Sequence, residues 1–205
     1  VALSCAVLLG WWAHTGVAVC AGVSALLAVA YSHPRTKFKA HPQLGPATNA
    51  LGYGVLSPLA GFVVVGIALS WRAVASSALL VAAALATYFA AQVFQQREDQ
   101  ARGYRTFVAK HGPRMTLQMV RMWIGLACAG VLAMSIYGWF PRVCIVVAPA
   151  WLWLDGWLRR ERERRLDERF ARGFVARLSV LGLVLLAAAY ADFFWGYLSH
   201  APPAG

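Results

Sequence analysis

Apolar stretches about as long as a bilayer is thick alternate along this chain with short segments crowded by arginine and lysine. A helix rises about 1.5 Å per residue, so about 20 consecutive apolar residues cross the hydrocarbon layer. The clearest runs cover 50–70, 74–94, 117–138, 141–157 and 176–198. Upstream, the stretch from Val1 to Tyr31 is long for one span and short for two, and Trp11-Trp12-Ala13-His14-Thr15-Gly16 interrupts it. That turn chemistry predicts a helical hairpin with a clipped first arm, which brings the total to about seven spans. Charged residues make up 13% of the chain, against about 25% in a soluble domain. So few charges do not coat a water-facing surface. The expected fold is all-α, a multi-pass transmembrane helical bundle in a lipid bilayer, forming one domain over residues 1–205.

The sparse charges are sorted by loop. Arg35, Lys37 and Lys39 follow the first hairpin; Arg97, Arg102, Arg105, Lys110, Arg114 and Arg121 lie at and after 95; eight arginines fall between 159 and 177. The alternate loops hold only Arg72 and Arg142. Because basic loops stay in the cytoplasm, this bias predicts a multi-pass protein of the plasma membrane with its functional loops cytoplasmic. A net charge of +11 would point to nucleic acid in a soluble chain. Here the aromatic residues belong to the hydrophobic runs rather than to a basic groove, so nucleic acid is not an expected partner. The stretch from Leu158 to Arg172 mixes arginine with Glu161, Glu163, Asp167 and Glu168 at helical spacings, which reads as a surface helix on anionic lipid. Cys5, Cys20, Cys128 and Cys144 all sit in apolar runs without CxxC spacing and read as small core residues. The five histidines show no ligand spacing.

The segment Gln92 to Thr106 carries the densest chemistry. It leaves an apolar helix and sets amides, two adjacent carboxylates and several guanidinium groups at the membrane boundary. Gln92, Gln95 and Asp99 share one helix face, with Gln96 beside them. A polar stripe at the end of a lipid-embedded helix is expected to face the bundle interior, where lipid does not penalise it. Carboxylates beside arginine suit Mg²⁺ and phosphate oxygens together, the acids holding the metal and the bases the anion. A second cationic turn, Tyr31-Ser32-His33-Pro34-Arg35-Thr36-Lys37-Phe38-Lys39, lies on the same expected side, and Asn49, Tyr53 and Gly54 open the next span. Two such loops are able to close over a diphosphate.

The pairing of the Tyr31-Ser32-x-Pro34 segment and its lysines with Gln92-x-x-Gln95-x-x-Glu98-Asp99-x-x-Arg102-Gly103-x-x-Thr106 resembles the UbiA superfamily of intramembrane prenyltransferases. The resemblance implies a nine-helix fold around a central cavity, of which this chain carries helices 3–9. It implies two Asp-rich motifs that hold a prenyl diphosphate through Mg²⁺. Asp99 then corresponds to the later acid of the second motif, DxxxDxxxG, with Gln95 at its first position and Gly103 at its glycine. The first motif, of NxxxD type, has no counterpart here. The chain is therefore expected to be incomplete ahead of Val1, short of about 80–100 residues (two spans and their loops), and inactive as it stands.

On this reading the protein transfers a prenyl group from a prenyl diphosphate to a hydrophobic acceptor, aromatic or lipid-like. Asp99 and Glu98 are the expected catalytic and metal residues. Tyr31, Lys37, Asn49, Gln92, Gln95, Arg102 and Arg105 are the expected substrate-binding residues. Trp123, Tyr137 and Tyr190 are candidates to flank the isoprenoid. The main alternative is a non-catalytic membrane subunit or scaffold of the same fold. A CDP-alcohol phosphotransferase is disfavoured, since Asp155-Gly156 lacks the further aspartates and the Ala-Arg pair of that signature. A transporter has only Asp192 as an intramembrane acid to recommend it.

Overall fold

The computed structural model describes residue 10, residues 14–161 and residues 168–199. The first arm of the expected hairpin, the middle of the Arg-rich surface segment and the C-terminal tail lie outside these residues. Six helices and no strand occur among the described residues: α1 (Thr15–Ser32), α2 (Leu44–Val65), α3 (Trp71–Ala101), α4 (Phe107–Ile136), α5 (Val147–Glu161) and α6 (Glu168–Ser199). Five of them are long and apolar enough to cross a membrane, the fifth through Arg172–Asp192. The run expected over 141–157 instead begins as a 3₁₀ turn, Arg142–Val146, and continues as the 15-residue α5. Large apolar residues such as Leu26, Val65 and Leu152 face outward, an arrangement that lipid tolerates and water does not.

The chain forms two compact units, residues 1–127 and 128–205, with α4 passing from one into the other. In the first unit, α2 packs against both α1 and α3. His14 caps α1, its Nδ1 accepting from the Gly16 N–H at 3.0 Å, so the interrupted stretch restarts as a helix there. Helix α2 widens to a π-helix over Ala50–Leu56. Pro58 has no N–H and its ring crowds the carbonyl four residues earlier, so the preceding turn opens. Ser57 bridges the opened turn, its Oγ donating to the Gly52 carbonyl at 3.0 Å. Within this segment Gly54 lies directly against α3: a Cβ there would meet the Val81 backbone, with Cα at 2.6 Å. Two helix backbones approach that closely only where a side chain is missing.

Helix α3 is capped by Ser70, whose Oγ accepts from the Ala73 N–H at 3.3 Å. Its 31 residues extend about 46 Å, well beyond the ~30 Å hydrocarbon layer, which is long enough for its polar last turns to reach past the layer. Helix α4 breaks at Gly112 (φ 80°, ψ 165°), ahead of Pro113. Proline disfavours helical backbone in the residue before it and suits the first turn of the helix it begins. In the second unit, the Trp157 ring of α5 stacks on Phe170 of α6 at 5.2 Å, and the Arg177 guanidinium lies 4.3 Å from the Trp157 ring centre. Cys20, Cys128 and Cys144 are buried and unpaired, as small core residues.

Candidate functional site

The polar end of α3 is closed off by a Schellman turn. Arg102 ends the helix and Gly103 follows in the left-handed conformation (φ 69°). The Gly103 N–H donates to Gln100 at 3.0 Å, and the Tyr104 N–H donates to Asp99 at 2.9 Å. A residue with a Cβ is strained at that φ, which accounts physically for the glycine four positions after Asp99. The turn folds Tyr104 and Thr106 back beside the helix face that carries Asp99.

Gln92 locks the returning chain. Its Nε2 donates to the Tyr88 hydroxyl at 2.6 Å, and its Oε1 accepts from the Val108 N–H at 3.3 Å, so one buried amide joins α3 to the start of α4. The Tyr88 hydroxyl in turn sits against the Cα of Gly45, where any Cβ would collide with it. Aromatic edges continue the seam: Tyr88 against Phe89 at 5.5 Å and Phe89 against Phe107 at 5.0 Å.

These elements enclose a cavity of about 310 Å³ in the first unit, lined by Tyr31, Lys39, Tyr88, Ala91, Gln92, Gln95, Glu98, Asp99, Arg102, Tyr104 and Thr106. Asp99 is 8% exposed, in contrast to its neighbour Glu98 on the surface. Glu98 pairs with Arg102 at 2.5 Å, one turn along the helix. Lys39 and Arg102 both act electrostatically on the Asp99 carboxylate. The Lys39 ammonium also lies 5.7 Å from the Tyr104 ring centre, which holds it across the cavity mouth. Thr106 Oγ1 is buried there and interacts with the Asp99 carboxylate.

Tyr31 borders a second cavity, of about 370 Å³, between α1 and α2. Its surface is mostly apolar, from residues such as Ala21, Ala25, Leu27 and Ala28, with the small hydroxyl residues Ser24, Thr48 and Ser57 among them and Asn49 and Tyr53 beside Tyr31. The polar and apolar spaces thus share one side chain.

Six of the nine residues singled out from the sequence line the polar cavity: Tyr31, Gln92, Gln95, Glu98, Asp99 and Arg102. Asn49 lines the neighbouring apolar space, where it interacts with the Tyr31 hydroxyl and donates to the Gly45 carbonyl at 3.0 Å. Lys37 and Arg105 are exposed and line neither. Lys37 takes left-handed backbone (φ 43°) at the start of the 3₁₀ turn Phe38–Ala40, and that turn carries Lys39 to the cavity in its place. Sequence reasoning also passed over Tyr88, Tyr104 and Thr106. Only Thr106 carried a signal, as the last residue of the motif. Trp123 lines a different groove, and Tyr137 and Tyr190 are exposed residues of the second unit.

No group of three or more His, Cys, Asp or Glu side chains is gathered among the described residues. Mg²⁺, however, keeps several waters and takes one or two carboxylates together with substrate phosphates. Asp99 and Glu98, with the Thr106 hydroxyl beside Asp99, fit an ion that arrives with a diphosphate.

No curated protein and no solved structure matches the chain. The profile of the UbiA prenyltransferase family matches residues 1–181, which includes every residue of both cavities. The chain is a membrane protein of the UbiA prenyltransferase family.

Proposed function

We propose that the complete protein transfers a prenyl group from a prenyl diphosphate to an aromatic or lipid-like acceptor, with Mg²⁺, at the cytoplasmic face of the plasma membrane. One observation carries this reading: a polar cavity with two carboxylates and two cations shares Tyr31 with an apolar space lined by small residues. A ligand with an anionic head and a hydrocarbon tail fits such a pair, head on one side of the phenol and tail on the other.

Asp99 and Glu98 would hold Mg²⁺, which when bound draws charge from the diphosphate oxygens. Lys39 and Arg102 meet the negative charge that grows on the leaving diphosphate as its bond to carbon breaks; fixed cations in a partly dry site stabilise that charge more in the transition state than in the ground state. Gln95 offers an amide to the same head group. Gln92 is spent on Tyr88 and Val108, so it positions the site rather than holding substrate.

A non-catalytic subunit of the same fold is the second reading. The Glu98–Arg102 pair favours it, because each charge already has a partner on its own helix.

The test is Mg²⁺-dependent binding and turnover of a radiolabelled prenyl diphosphate by the complete protein in membranes. The enzyme reading expects Asp99→Asn to reduce binding at least tenfold. Binding that is unchanged in Asp99→Asn, or insensitive to chelation, overturns it.

A further inference from the structure

On another face of the first unit, a groove of about 400 Å³ runs between the start of α2, the middle of α3 and the start of α4. Its polar rim is formed by Gln43, Lys110 and His111, all exposed. An aromatic run lines it: the His111 ring lies 4.5 Å from that of Phe107, and Phe107 meets Phe89 edge-on at 5.0 Å. Trp123 also lines the groove, and its Nε1 is buried with no hydrogen-bond partner among the described residues. A buried indole N–H normally finds an acceptor. A donor left over in an amphipathic groove marks the place of an acceptor atom that the described residues do not supply.

We infer that this groove binds an anionic phospholipid. The phosphate is held at the rim by Lys110, with Gln43 and the His111 imidazole as hydrogen-bonding neighbours. The hydrocarbon lies over Phe89, Phe107 and Leu85, and an ester carbonyl accepts from Trp123 Nε1. Charge favours this occupant. Lys110, in the first turn of α4, belongs to the cation-rich stretch from Arg97 to Arg121, and basic grooves between spans recruit acidic head groups. The inference is independent of the catalytic reading, since none of these side chains lines the polar cavity.

The complete protein, purified in detergent, is incubated with phosphatidylglycerol or with phosphatidylcholine of the same acyl chains, and retained lipid is counted by native mass spectrometry. Phosphatidylglycerol is expected to be retained at least fivefold over phosphatidylcholine. Lys110→Gln and Trp123→Phe should each lower that retention at least threefold; the second removes only the N–H. Ala47→Phe, which fills the groove from an exposed position, should do the same without burdening the core. Equal retention of both lipids overturns the inference, as does unchanged retention in Trp123→Phe or in Ala47→Phe. Displacement of the lipid by millimolar inorganic phosphate also overturns it, since the groove would then read a free anion.

Discussion

The Tyr104 N–H donates to the Asp99 carbonyl at 2.9 Å, so the residue that follows the Gly103 turn is tied to the residue that supplies the buried carboxylate. One peptide group of Asp99 closes the turn while its side chain faces the cavity. The same contact sets the distance from the acid to the returning chain with Tyr104 and Thr106.

Gly103→Ala forces a Cβ into left-handed backbone, at a cost of about 1–2 kcal/mol. Thermal unfolding in detergent should show a lower midpoint. Gly103→Asn should recover part of the loss, because asparagine visits that region more readily. Equal midpoints for wild type and Gly103→Ala would remove the turn from the account of the site.

Lys39 and Lys37 are two residues apart, yet only Lys39 lines the cavity. Lys39→Ala should weaken prenyl diphosphate binding about tenfold, or about 1.4 kcal/mol, whereas Lys37→Ala should change it less than twofold. The reverse order would return Lys37 to the role expected from the sequence.

Gln92→Leu leaves the Val108 N–H and the Tyr88 hydroxyl without their partner. A buried polar group stranded in this way costs about 1–3 kcal/mol. Unfolding should occur at lower temperature, and hydrogen exchange at the Val108 amide should accelerate. A variant with lost substrate binding but native stability and exchange would make Gln92 a direct ligand instead.

Gly54→Val places a branched side chain against the Val81 backbone and should prevent α2 from seating on α3. Gly61→Ala, in the same helix with nothing within 4 Å, should be neutral. Cysteine cross-linking between α2 and α3 in membranes reads the difference: yield should fall severalfold in Gly54→Val and stay constant in Gly61→Ala.

The site was partly legible because helical spacing is a local property. Gln92, Gln95 and Asp99 lie on one strip of α3 by periodicity alone, and the structure places all three along the cavity. Lys39 and Tyr88 carried no such mark. Lys39 reaches the cavity through the left-handed backbone at Lys37, and Tyr88 through the missing side chain of Gly45. Both depend on what lies opposite.

The order of residues by itself determined the solvent, the helical class and the family motif, because apolar length and charge placement act through the bilayer without reference to any partner. Tertiary packing decided which polar side chains of those helix ends meet. It spent Gln92 on holding the chain, turned Lys37 and Arg105 outward, and set Tyr31 between a polar and an apolar space. A hydrogen bond or a shared wall needs two surfaces in register, and register between helices is set by contacts such as Gly54 on Val81.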